Sequence, residues 1–95
     1  MEVRQLQIFR ILAEELNFTR TAEKVHTVQS NVTAQVKALE EELGAPLFDR
    51  LGRRVTLTDA GRRFQPFAEQ ALAAMEQGER AIRNGAEPSA ALTAA

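Results

Sequence analysis

A mainly α-helical fold is predicted, with three short helices, a small two-stranded hairpin and a long fourth helix. Three observations predict it. Apolar residues recur every three or four positions in two early segments, which is the signature of helices with one buried stripe. A short alternating stretch follows a glycine–proline break. From Phe64 onward, apolar and small residues alternate spacings of four and three up to Ile82, as along the seam of a coiled coil.

The first helix carries Leu6, Phe9, Ala13 and Leu16, with Ile8 and Leu12 widening the stripe, while Arg10, Glu14 and Glu15 face water. Asn17 and Phe18 interrupt the pattern. Thr19 then reads as the cap of a short second helix that holds Ala22 and Val25 and ends near His26. The third helix is the clearest: Val28, Val32, Val36, Leu39 and Leu43 recur along it, and Gly44 and Pro46 stop it. Val28 cannot cap this helix, so Thr27 is assigned that role one residue earlier, and a shift of one residue at the helix start stays open.

Residues 47–50 and 54–58 form the two arms of the hairpin, with Val55 and Leu57 alternating against Arg54 and Thr56, and Gly52 and Arg53 lie at its tip. Thr58 is positioned to cap the fourth helix, Asp59 sits favourably in its first turn, and Pro66 is the one residue that strains it. That helix is expected to run to about Asn84. Residues 86–95 have no stripe of their own and read as a hinge or disordered tail. The expected division is therefore a compact unit at 1–58, a linking helix at 59–85 and a tail at 86–95.

Composition removes several function classes. The chain has 95 residues, 44% of them hydrophobic, and no cysteine, so disulfide frameworks and thiolate metal sites are excluded. A single histidine, His26, does not make a metal cluster or a catalytic dyad, and it reads more readily as a phosphate or backbone contact than as a pH sensor. Its glycines are isolated, and Ser30 has no general base near it in sequence. A non-catalytic protein without a cofactor is expected. No window approaches the ~20 apolar residues of a membrane span, so a cytoplasmic location is expected and a membrane partner is not.

A formal net charge of −1 argues against nucleic acid until its distribution is considered. Between Leu43 and Arg63 five arginines (Arg50, Arg53, Arg54, Arg62 and Arg63) face two acids, Asp49 and Asp59. On a helical wheel the side of the third helix opposite its apolar stripe holds Ser30, Thr33, Ala34 and Lys37, with Gln29 and Asn31 in the first turn. Amide side chains at such a helix end match the paired N6 and N7 groups of adenine. Periodicity alone favours a merely solvated surface. The order of elements adds the second clue: helix, tight turn, helix, then an arginine-tipped hairpin is what a winged helix-turn-helix builds. Arg53 and Arg54 suit phosphates or a narrow minor groove. A purely helical interaction module is the alternative, which accounts for the long seam and leaves the arginine-tipped hairpin unexplained.

Five strings, taken in order, carry a resemblance: Phe18-Thr19-Arg20-Thr21-Ala22-Glu23, Val28-Gln29-Ser30-Asn31-Val32-Thr33, Leu39-Glu40-Glu41-Glu42-Leu43-Gly44, Pro46-Leu47-Phe48-Asp49-Arg50 and Leu57-Thr58-Asp59-Ala60-Gly61. Together they resemble the LysR-type transcriptional regulators over about residues 2–85. The resemblance implies a bacterial regulator that reads double-stranded operator DNA. It places Gln29, Ser30 and Thr33 in the major groove, with Asn31 and Lys37 beside them, Thr19 and Arg20 near phosphates, and Arg50, Arg53 and Arg54 on the wing. Arg50 is equally readable as a structural ion-pair partner. The sequence departs from the family at Ala34, where many members have arginine, and at Val28, where many have serine. The resemblance also implies a homodimer through the fourth helix, with Phe64, Phe67, Ala68, Ala71, Met75 and Ile82 between protomers, and a tetramer in a full-length parent. The small-molecule effector of such a parent would bind a second domain not present in this chain.

Overall fold

The computed structural model describes residues 1–84; the expected tail at 86–95 lies outside the described residues. The order of elements is α1 (Val3–Glu15), α2 (Phe18–Lys24), α3 (Gln29–Leu43), β1 (Phe48–Asp49), β2 (Thr56–Leu57) and α4 (Asp59–Asn84). The mainly helical winged helix-turn-helix followed by a long helix is therefore present, and no helix among the described residues is long and apolar enough to cross a membrane.

The apolar stripe of α1 builds the centre. Leu6, Ile8, Phe9, Leu12 and Ala13 are all buried, and Ile8, Phe9 and Leu12 are completely so. The expected fourth member, Leu16, is instead 40% exposed. It stands at the helix end with φ 51°, where its N–H donates to the Leu12 carbonyl at 2.7 Å, and this left-handed step turns the side chain out of the stripe.

The second helix is capped two residues earlier than expected. Asn17, not Thr19, is the capping residue, and its Oδ1 accepts from the Arg20 N–H at 2.8 Å. Thr19 is thereby left free on the helix surface. The turn into α3 closes without glycine: His26 takes the left-handed conformation with φ 57°, its N–H donating to Glu23, while the Thr27 N–H donates to Ala22. That pair of bonds is a Schellman closure, and it assigns His26 a turn-making role. The third helix begins at Gln29 with Val28 in the cap position and no side-chain cap, so Thr27 does not cap it. Val32, Val36 and Leu39 are its buried face, and Gly44, with φ 77°, ends it.

The hairpin is antiparallel and short, pairing Phe48 with Leu57 and Asp49 with Thr56. Only two residues of each expected arm are strand; the remainder, from Arg50 to Val55, forms the tip, with Gly52 at φ 65° and an Arg54 N–H to Leu51 carbonyl bond of 3.3 Å. Leu47 and Phe48 root the hairpin in the core.

Thr58 caps α4 as expected, its Oγ1 accepting from the Gly61 N–H at 3.0 Å. The same hydroxyl donates to the Pro46 carbonyl at 2.6 Å, and the Thr58 N–H donates to the Leu47 carbonyl at 3.0 Å. One residue thus starts the helix and ties it to the root of the wing. Gly61 is buried here, and only glycine fits, because a β-carbon would overlap the Leu47 carbonyl oxygen and crowd Leu57 Cδ2. Along α4, Ala68 and Leu72 are buried, and Phe64 lies half-buried edge-on to Phe9, with ring centres 5.2 Å apart. This corrects the expected seam: Ala68 packs inside its own chain because it lies on the helix face that covers α1, and Phe64 shares that face. Phe67, Ala71, Met75 and Ile82 remain exposed.

Replacing Thr58 by alanine should remove both hydroxyl bonds, to Gly61 and to Pro46, while keeping the backbone bond to Leu47, and destabilise the chain by about 1–2 kcal/mol, with serine restoring most of it. Gly61→Ala should cost about 1–3 kcal/mol through overpacking against backbone that cannot move aside. Urea unfolding followed by circular dichroism reads both changes, and an unchanged midpoint for either variant would contradict the corresponding contact.

Candidate nucleic-acid interface

The flank of α3 that faces the wing collects most of the residues expected at a DNA surface. Gln29, Ser30 and Lys37 are exposed and Thr33 is half-exposed. Thr19, freed by the cap at Asn17, donates from Oγ1 to Gln29 Oε1 at 3.2 Å, so the first turns of α2 and α3 meet at one point. This bond fixes one end of the Gln29 amide and leaves its NH2 group pointing away from the Thr19 contact. Arg20 lies exposed one residue beyond.

Asn31 is the residue that the structure separates from this group. Two residues along a helix turn the side chain by roughly 160° to the far flank, and there Asn31 Nδ2 donates to Thr27 Oγ1 at 3.2 Å. Asn31 Oδ1 accepts from Gln35 Nε2 at 3.5 Å, and Gln5 Nε2 of α1 donates to Gln35 Oε1 at 3.3 Å. The Asn31 amide therefore belongs to a polar chain joining α3 to α1, and both of its polar atoms are engaged away from the Gln29 face.

Lys37, Thr33 and Arg50 line an open groove between α3 and the wing, together with Glu40 and Phe48. Arg50 is exposed and has a contact that neither expectation included: its guanidinium carbon sits 4.0 Å from the centre of the Phe18 ring, a cation–π contact that fastens the wing to the start of α2. It forms no ion pair among the described residues. Arg53 and Arg54 lie exposed at the tip, directly after the left-handed turn at Gly52.

Ion pairing sorts the cations into two sets. Arg63 and Arg62 both pair with Asp59 at the start of α4, at 2.6 and 3.9 Å, and Arg10 pairs with Glu76 at 3.3 Å. Lys24 pairs with Glu15 at 2.6 Å. Its hydrogen-bonding ammonium holds the Glu15 carboxyl below the usual carboxylate range, and Glu15 in turn raises Lys24. That small stabilisation is present above the ordinary carboxylate range and is lost as pH falls through the lowered Glu15 value. Arg20, Lys37, Arg50, Arg53 and Arg54 take part in none of these pairs among the described residues. Five of the cations without an acidic partner among the described residues therefore lie on α2, α3 and the wing; Arg4 of α1 and Arg80 and Arg83 of α4 are in no ion pair either, and α4 also carries Glu69, Glu76 and Glu79. A net charge near zero thus conceals a local cluster of cations, with Arg50, Arg53 and Arg54 close together in the chain at the wing.

Two side chains central to this face carried no sequence signal as site residues. Phe18 reads as a pattern break, and its role as the platform for Arg50 follows from a contact 32 positions away. Glu40 reads as one of three consecutive acids, yet its Oε2 accepts from the backbone N–H groups of Leu47 and Phe48 at 2.7 and 3.2 Å.

Comparison with known proteins agrees with this geometry. The description of the bacterial regulatory helix-turn-helix proteins of the lysR family matches residues 3–62. The HTH-type transcriptional regulator YwqM of Bacillus subtilis is 45% identical over 92 residues, which is 97% of this chain and 31% of that protein. The Hca operon transcriptional activator HcaR of Escherichia coli is 47% identical over 81 residues, 85% of this chain and 26% of its own length. The chain thus spans a third or less of these two relatives. Among solved structures, the DNA-binding domain of BenM in complex with benA site 1 DNA superposes with a TM-score of 0.83 at 34% identity, covering 92% of this chain and 98% of that one. The CbnR DNA-binding domain in its DNA complex gives 0.82 at 36% identity, covering 92% of this chain and all of that one. On sequence and on fold alike, the chain belongs to the LysR family of bacterial regulatory helix-turn-helix proteins.

Proposed function

We propose that this chain reads double-stranded operator DNA for a LysR-type transcription regulator, with the first turns of α3 in the major groove and the wing on the adjoining backbone or minor groove. The observation that carries this reading is a groove lined by Thr33 and Lys37 of α3 and Arg50 of the wing, with Gln29, bonded to Thr19, at the start of the same helix and exposed Arg53 and Arg54 at the tip of the same wing; none of these cations is ion-paired among the described residues. Polar side chains at a helix end supply base-edge contacts, and the surrounding cations supply the sequence-independent attraction to phosphates. The DNA complexes of the BenM and CbnR domains, which share this fold, support the same use of the surface. Gln29, held by Thr19, is assigned base reading; Arg53 and Arg54 are assigned the backbone or minor groove; Asn31 is assigned support of α3.

The domain division follows the same reading: a DNA-reading unit over residues 1–58 and a linking helix over 59–85. Two copies pair through α4. Phe67 is 65% exposed, Met75 48% and Ile82 84%, with the small residue Ala71 between the first two, and an apolar stripe of this kind favours burial against a second copy. A twofold axis through that contact places two recognition helices on half-sites about 34 Å apart, or a multiple of that distance. Tetramer formation and response to a small molecule belong, in this reading, to the longer regulators of which relatives such as YwqM are examples. The site of action is the bacterial nucleoid.

Gln29→Ala should cost about 1–3 kcal/mol on a site enriched from a duplex library and little on random duplex, whereas Arg53→Ala should weaken both and reduce the salt slope by about one. Titrations at several salt concentrations measure both, and equal losses for Gln29→Ala on the two DNAs would remove its base-reading role. Met75→Lys introduces a charge into the paired stripe and should shift the chain towards monomer in sedimentation velocity. An unchanged sedimentation coefficient would exclude this face as the dimer contact.

A further inference from the structure

A carboxylate in the groove between a recognition helix and a basic wing works against an approaching phosphate, so its presence calls for a physical reason. Glu40 is such a group: it lines the groove with Thr33, Lys37, Phe48 and Arg50. Its Oε2 takes two consecutive backbone donors, Leu47 N–H at 2.7 Å and Phe48 N–H at 3.2 Å. These are the residues at which the chain enters the wing, and Leu47 and Phe48 are both buried. By helical geometry Glu40 lies two turns beyond Thr33 on the same flank of α3, in line with Gln29. The wing therefore hangs from the side of α3 that carries the proposed base reader, at a distance set by one glutamate side chain.

We infer that Glu40 is a positioning residue, which sets the spacing between the α3 reading face and the wing arginines and so lets both engage one duplex together. The inference rests on the DNA-reading proposal above. Two further ties limit what Glu40 alone controls. Thr58 holds the Pro46 and Leu47 carbonyls from the side of α4, and Arg50 stacks on Phe18 from the side of α2. Glu40 is the hydrogen-bonded link from α3 itself, the element whose groove placement must agree with that of the wing.

A double-mutant cycle on the full chain tests this, using the duplex enriched by the wild type and random duplex as control. In the wild-type background Arg53→Ala should weaken binding and lower the salt slope by about one. In Glu40→Ala the wing is no longer set against α3, so adding Arg53→Ala should cost at least about threefold less than it does alone, which is the signature of coupled sites. Glu40→Gln keeps an acceptor oxygen at the same reach and should preserve the full Arg53 effect. Should Glu40→Ala fail to fold by circular dichroism, Glu40→Asp, one methylene shorter, takes its place with the same expectation. A general loss of stability would lower binding without changing the Arg53 factor. The inference is overturned if Arg53→Ala costs the same factor in every background, or if Glu40→Gln uncouples the sites as fully as Glu40→Ala. Wild type that enriches no duplex and binds no DNA at low salt would overturn the DNA-reading proposal itself, and this inference with it.

Discussion

Phe9 is the residue on which the parts of this fold converge. It is fully buried, and its ring lies 5.5 Å from that of Phe48 and 5.2 Å from that of Phe64, in tilted and edge-on arrangements that suit the aromatic quadrupole. One ring comes from α1, one from the root of the wing and one from α4. The hairpin has only two paired residues in each strand and has no independent stability. Its place comes from burying Leu47 and Phe48 against α1, and α4 closes over the same cluster through Phe64, Ala68 and Leu72. Removal of the Phe9 ring would release the wing and the long helix together.

Around that cluster a few hydrogen bonds convert packing into orientation. Glu40 reaches from α3 to the Leu47 and Phe48 amides, Thr58 reaches from the start of α4 to Pro46 and Leu47, and Gly61 leaves room for the Leu47 carbonyl. The short segment from Pro46 to Phe48 is thus held from several sides, and no buried side-chain polar atom among the described residues lacks a partner. A small core of this size cannot rely on apolar area alone. Directional bonds at the root of the wing supply the rigidity that a two-point grip on a duplex requires.

Charge follows the same division. The ion pairs lie between α1 and α2, between α1 and α4 and at the start of α4, while Arg20, Lys37, Arg50, Arg53 and Arg54 have no acidic partner among the described residues. A protein with a net charge of −1 is thereby able to present a positive face without the self-repulsion of a uniformly basic chain. Membership of the LysR family accords with that face.

Sequence periodicity and turn residues by themselves determined the number of helices, most of the buried stripes of α1 and α3, the existence of the hairpin and the cap at Thr58, because each depends on neighbours within one or two turns or on a turn residue. The five ordered strings likewise identified the family and most of the polar face. Tertiary structure decided what depends on distant partners. Leu16 leaves the stripe and Asn17 caps α2, since the left-handed step between the helices is set by how α1 and α2 pack. Ala68 turns inward and Asn31 turns to α1, since periodicity gives the spacing of a stripe but not which neighbour it meets. Arg50 on Phe18, and Glu40 on the wing root, join positions far apart in the chain or placed in a loop, and only the folded geometry brings a side chain and its partner within bonding distance.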